Sequence, residues 1–203
     1  RQALTALALL TLTTIPATAP AQQKKAAPAD WTRTVTLAPN GAYILGNPKA
    51  ATRIVEYFSY TCSHCAHFAA EATEPLKADW IKRGTVAFEY RNFVRDPFDM
   101  TAALLARCGG AARFVGNHDA LFANFEAWMG KAQAYKPGVP ENADRVAQMA
   151  DIADKTGLFA LLAKRGLTPA AQRQCLADKG AAAQLMGLTQ GLTKLTDRPR
   201  TPH

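Results

Sequence analysis

Two cysteines three residues apart, Cys62 and Cys65, are the residues of this chain with the clearest capacity for chemistry. In Cys62-Ser63-His64-Cys65 the pair can exist as a dithiol or as a disulfide. At the start of a helix, an i, i+3 spacing brings the two Cα atoms to about 5–6 Å, within disulfide reach. The first cysteine would then meet free N–H groups and the positive end of the helix dipole, both of which favour a thiolate. The second would lie one turn inward and be shielded. An incoming thiolate is therefore expected to attack Cys62, with Cys65 resolving the mixed disulfide. Moving a thiol from a pKa of about 8.5 to about 4 takes about 6 kcal/mol, and a helix terminus supplies at most about 2 kcal/mol. His64, as imidazolium or as an N–H donor, is the further contributor the sequence offers; the alternative is an exposed histidine with no role.

The elements that must position this motif can be read on either side of it. Residues 53–60 (RIVEYFSY) are dense in β-branched and aromatic types and predict a buried strand running into the motif. Apolar or small residues at 65, 68, 69, 72, 76 and 80 form a helical stripe, with Pro75 expected to kink the helix and Gly84 to end it. Residues 85–93 (TVAFEYRNF) predict the next strand and complete a βαβ unit. Upstream, residues 32–37 alternate like a strand, and turns are expected at Asn40-Gly41 and Gly46-Asn47-Pro48. From Pro97 the pattern turns helical, with segments expected at 98–108, 117–130, 142–155, 158–165, 168–177 and 179–195. Glu56 lies six residues before Cys62 among apolar neighbours. Strand alternation does not choose between a solvent-facing carboxylate and one half-buried beneath the motif. In the second case its pKa rises and it could relay a proton to or from Cys65.

The stretch from Ile54 to Phe68 (IVEYFSYTCSHCAHF) resembles the active-site segment of the DsbA family of periplasmic dithiol oxidases, through the glutamate, the Phe58-Ser59-Tyr60 run and the C-x-H-C pattern. That resemblance implies an α/β thioredoxin-like fold with a helical insertion. The corresponding layout is a thioredoxin-like part at 32–96, the insertion at 97–196 and a return to the sheet at 197–203. It implies catalysis by Cys62, Cys65, His64 and a buried Glu56, with a redox-active disulfide and no other cofactor. Thr201-Pro202 resembles the family's cis-proline step, which would present backbone to a substrate chain. Cys108 and Cys175 could be two buried free thiols or a structural disulfide, and the resemblance favours the bond. The implied partners are unfolded or reduced exported polypeptides and a membrane quinone-linked protein that restores the disulfide. The sequence departs from the family at Ser63, where proline is common, and at Arg198-Pro199-Arg200, where an apolar lead-in is usual. The final strands and helix are also absent, so the chain reads as a fragment.

Composition bounds the alternatives. With 203 residues, 48% hydrophobic and 20% charged, the chain can bury one sizeable core. The formal charge of +8 includes no basic run longer than a pair such as Lys24-Lys25 and no basic stripe interleaved with aromatics, which argues against a nucleic-acid partner. Residues 3–15 are apolar, too short to span a bilayer as a helix, and are followed by Ala19-Pro20-Ala21. This pattern predicts a signal peptide over 1–21, cleaved before Gln22, and hence a periplasmic protein in which disulfides persist. Residues 22–31 read as a disordered leader. Cys62, Cys65 and His67 lack a fourth ligand at finger-like spacing, so no metal site is expected. His118 is placed at a helix start without a role. The competing functions are a periplasmic reductase or isomerase and, from a different class, a copper- or zinc-binding chaperone.

Overall fold

The computed structural model describes residues 30–196. The expected signal peptide and the Thr201-Pro202 step lie outside the described residues. Four strands form one sheet: β1 (Val35–Leu37), β2 (Tyr43–Gly46), β3 (Thr52–Phe58) and β4 (Val86–Asn92), in the order β1-β2-β4-β3. β3 and β4 are parallel and joined by helix α1 (Ser63–Leu76), which is the predicted βαβ unit. β2 runs antiparallel to both β1 and β4. The register aligns Tyr43 with Tyr90, Leu45 with Phe88, Ile54 with Phe88 and Glu56 with Tyr90. Side chains alternate across a sheet, so these residues share one face. That face packs against Phe114, Leu121 and Phe122 of α3 (Ala111–Ala123) and forms the core.

After β4 the chain stays helical to Thr196. The remaining helices are α2 (Pro97–Ala106), α4 (Phe125–Gln133), α5 (Arg145–Thr156), α6 (Leu158–Ala163), α7 (Pro169–Leu176) and α8 (Lys179–Thr196). Helix α2 is their centre. Residues from Thr101 to Ala106 are all buried, and α3, α5, α7 and α8 pack around it. Cys108, just past α2, is joined to Cys175 of α7, with Cα atoms 5.6 Å apart. Among the described residues no helix is long and apolar enough to cross a membrane.

The structure corrects six local expectations. Asp30 and Trp31 are not part of a disordered leader. Trp31–Arg33 form a 3-10 turn capped by Asp30, with the indole lying over Gly84, so the expected 32–37 strand shrinks to 35–37. β3 is not a buried strand: among the described residues it is the sheet edge, and Val55 on its outer face is 39% exposed. The helix after Cys62 does not keep its stripe to residue 80. Pro75 has no N–H to donate, and a π-helical turn follows over Lys77–Ile81, closed by Lys82 N–H to the Lys77 carbonyl at 2.9 Å. The extra residue in that turn rotates the frame by one position, so Ile81 is 1% exposed and Trp80 51%. The segment expected at 117–130 is two helices that break at Asn124, and the first begins earlier, after Gly109 and Gly110, both at positive φ. His118 therefore lies inside α3 and not at its start, and it is buried.

The Cys108–Cys175 bond ties the end of α2 to α7 across a sequence separation of 67 residues. In the chain-entropy treatment such a loop contributes about 4 kcal/mol. The double variant Cys108→Ala/Cys175→Ala should lose about 2–4 kcal/mol of unfolding free energy in a urea titration. An unchanged midpoint and slope would show that the bond contributes nothing to stability.

Candidate active site

Three residues, Ser59-Tyr60-Thr61, carry the chain from β3 to α1, and each is held from a different direction. Tyr60 is wholly buried, with its hydroxyl 3.0 Å from His118 Nδ1 and its backbone N–H donated to Asp99 Oδ1 at 2.9 Å. Burial pushes the Tyr60 hydroxyl well above its ordinary pKa and, with a smaller effect from Lys77, pushes His118 down to about 3. At neutral pH the pair is an uncharged phenol donating to an uncharged imidazole. The Ser59 hydroxyl donates to Asp99 Oδ2 at 2.6 Å, and the Thr61 hydroxyl donates to Asp96 Oδ2 at 2.7 Å. Both carboxylates belong to the start of α2. Asp96 is its N-cap, accepting Asp99 N–H at 2.8 Å, and Pro97 fills the first helical position.

Cys62 is the N-cap of α1, with extended backbone (φ −101°, ψ 117°), and its N–H is donated to the Ser59 carbonyl at 3.2 Å. Its sulfur thus occupies the place where a capping oxygen would accept N–H groups from the first turn. The neutral thiol makes no such bond. Burial opposes ionisation of Cys62, but the N–H of Cys65, the Cys65 thiol, the N–H of His64 and the charge of Arg95 together bring its pKa below the ordinary thiol value. Cys65 goes the other way. Burial is the main cause of its raised pKa, with further contributions from Cys62 and Glu56, and the Ser59 N–H offsets only part of this. Both cysteines are partly buried free thiols.

Glu56 lies on the core face of β3, as the register requires, and is half-buried. Burial pushes its carboxyl up to about 7. The question left open by strand alternation is thus resolved by the pairing with β4. Glu56 lies near enough to Cys65 for its charge to raise that thiol's pKa, and His64, between the two cysteines, has an exposed side chain. The imidazole of His64 makes no hydrogen bond among the described residues; its backbone N–H is what acts on Cys62. Thr201 and Pro202 fall outside the described residues.

Sequence reading missed Arg95, Asp96 and Asp99. Arg95 donates from Nε to Ser59 Oγ at 3.0 Å and from a terminal nitrogen to Thr61 Oγ1 at 3.1 Å. One signal was available: Asp96-Pro97-Phe98-Asp99 has the cap, first-position proline and early acidic residue of a helix start. It marks where α2 begins, but nothing in the sequence says which loop the carboxylates would reach.

The arrangement is suited to exchange between a disulfide and a dithiol, with an ionisable outer sulfur and a sheltered inner one. Comparisons with known proteins agree with this geometry. The family described as Thioredoxin matches residues 39–192. A Rickettsia conorii protein named "Putative protein-disulfide oxidoreductase" is 29% identical over 90% of this chain and 60% of its own length. A Rickettsia typhi relative of similar name is 28% identical over 80% of this chain and 53% of its own. The chain thus spans a little over half the length of these curated relatives. Among solved structures, a protein-disulfide isomerase from Novosphingobium aromaticivorans is 33% identical, covering 80% of this chain and 84% of that one, with a TM-score of 0.69. Wolbachia pipientis alpha-DsbA1, at 24% identity, shares the fold over 78% of this chain and 71% of its own, with a TM-score of 0.60. The chain belongs to the thioredoxin family and has, within it, the DsbA-like form in which helices are inserted beside the sheet.

Proposed function

We propose that this protein is a thiol–disulfide oxidoreductase that donates a Cys62–Cys65 disulfide to cysteines of exported polypeptides. A substrate thiolate attacks the Cys62 sulfur, the S–S bond breaks, and Cys65 leaves with the electron pair. The substrate is then linked to Cys62 as a mixed disulfide. A second substrate thiolate attacks the substrate sulfur of that bond, and Cys62 departs as thiolate. The substrate dithiol has lost two electrons and the protein disulfide has gained them. A membrane quinone-linked partner restores the disulfide, and the reaction takes place in the periplasm, as the apolar segment at 3–15 and Ala19-Pro20-Ala21 suggest.

The opposed shifts of the two thiols carry this reading. A stabilised Cys62 thiolate is a good leaving group, and stabilising the reduced form makes the disulfide a stronger oxidant. Cys65, whose thiolate is disfavoured by burial, needs a proton as it leaves. Glu56 is on the face beneath it and holds a proton at neutral pH more readily than an ordinary carboxyl. The similar Novosphingobium structure is named an isomerase, and the same exchange run from the dithiol form would isomerise disulfides.

Redox equilibrium with glutathione separates these directions. An oxidant should equilibrate well above thioredoxin's potential of about −270 mV, and a Cys65→Ala variant should accumulate a mixed disulfide on Cys62 when mixed with a reduced, unfolded protein in the presence of oxidant. A potential at or below the thioredoxin value would overturn the donor role.

Glu56 gives a second test. Its folded pKa of about 7 lies above the ordinary carboxyl value of 4.5, so the folded state favours the protonated acid. That contribution is complete below about pH 4.5 and is lost as the pH rises through 7. Glu56→Gln should therefore unfold at higher denaturant than the parent at pH 8, by an amount on the order of 2–3 kcal/mol, and match it near pH 4. A difference that does not change with pH would place the carboxyl in solvent.

A further inference from the structure

We propose that Arg95 is a positioning residue for exchange at Cys62: it clamps the Ser59–Thr61 segment to the start of α2 and fixes a positive charge beside the outer sulfur. The inference rests on the oxidoreductase reading above and extends it to a residue outside the C-x-x-C motif.

The hydrogen-bond directions carry it. Ser59 Oγ has one proton, and at 2.6 Å from Asp99 Oδ2 that proton goes to the carboxylate. Its lone pairs then accept Arg95 Nε–H at 3.0 Å and the Thr61 N–H at 3.2 Å. Thr61 Oγ1 likewise gives its proton to Asp96 Oδ2 and accepts from Arg95 at 3.1 Å. The guanidinium therefore meets two hydroxyls, each already polarised by a carboxylate on its far side. Arg95 is held in turn by its own N–H on Asp99 Oδ2 at 3.0 Å. The result is an alternating array of carboxylate, hydroxyl, guanidinium, hydroxyl and carboxylate, laid along the three residues that precede Cys62.

This array meets an electrostatic need. Asp96 and Asp99 anchor the loop, and their carboxylates put negative charge on the segment that leads to Cys62. Arg95 supplies the opposite charge at the same place, and it is one of the groups that draw Cys62 toward ionisation. A lysine keeps the charge but cannot bond both hydroxyls in the planar geometry of a guanidinium. A neutral residue keeps neither. Because Arg95 is solvent-exposed, water screens its charge and the effect on Cys62 is modest.

The test compares the full chain with Arg95→Met and Arg95→Lys. Thiolate absorbance near 240 nm is followed against pH, the glutathione equilibrium is measured, and thermal melts monitor the fold. Arg95→Met should raise the midpoint of Cys62 ionisation by about half to one unit and make the disulfide roughly three- to tenfold less oxidising. Arg95→Lys should recover at least half of that shift on a logarithmic scale. Should Arg95→Met melt below the assay temperature, Arg95→Gln carries the same expectation. A neutral variant that titrates like the parent, or a lysine variant indistinguishable from the neutral one, overturns the inference. If the parent itself does not exchange with glutathione, the oxidoreductase reading fails; if it exchanges normally and Arg95 is silent, only the role of Arg95 fails.

Discussion

A carboxylate with no access to solvent must be surrounded by donors, and Asp99 takes two of its three from the segment that leads into the C-x-x-C helix. Burial pushes its carboxyl up to about 6, while the Ser59 hydroxyl and the N–H groups of Tyr60 and Arg95 draw it back. At neutral pH those three bonds are charge-assisted and among the stronger ones available to a protein. The connection from β3 to α1 is therefore fixed by the first turn of α2, a helix that is itself buried from Thr101 to Ala106. Sheet and helical layer do not merely touch. The loop that presents the sulfurs is shared by both.

The same economy governs the two thiols. Ser59 takes the Cys62 N–H on its carbonyl, and its own N–H favours ionisation of Cys65, so the backbone of one residue serves both. An N-cap acceptor contributes about 1 kcal/mol to a helix. When Cys62 is a thiolate its sulfur can fill that place toward the N–H groups of His64 and Cys65; when it is in a disulfide it carries no charge to offer them. Helix capping is thus coupled to redox state. This term and a modest external charge move Cys62 down, while the same burial that shelters Cys65 moves it up. The pair is differentiated by position on one helical turn more than by the residues between them.

The C-x-x-C helix, the strand on either side of it and the switch to an all-helical pattern after Pro97 were legible because each has a strong local signal: β-branched runs, a strand-to-helix junction, and Ala/Leu-rich periodicity. What failed depended on neighbours. Whether β3 is central or at an edge is decided by which strands pair with it, not by its composition, and Val55 looks the same in either case. Trp80 and Ile81 exchange roles because a π-helical turn adds one residue after Pro75, a change no 3.6-residue template carries. The four residues of β2 sit between two turns and are too few to show a period. Glu56 could be placed only through its register with Tyr90. Asp96 and Asp99 carry the signature of a helix start, yet their second function, bonding Ser59 and Thr61, spans more than thirty residues of sequence and leaves no local mark.

His118 shows how a group with no local signal can still act on the site. Phe58, Tyr60, Tyr90, Phe114 and Phe122 surround it, and a charge in that box would have no counter-ion among those neighbours. Held neutral, it has one nitrogen free to accept, and the Tyr60 hydroxyl, far from ionising, must be the donor. Nδ1 is therefore the acceptor and the ring proton rests on Nε2. With Tyr60 fixed at its ring by this box, at its N–H by Asp99, and at both neighbours by the hydroxyl–carboxylate bonds, the segment before Cys62 has little freedom left. The proposed disulfide exchange removes and restores the one covalent link between the sulfurs. A site that must keep them within bonding distance while that link is absent has to draw its geometry from the chain around it, and here the three residues that precede Cys62 supply it.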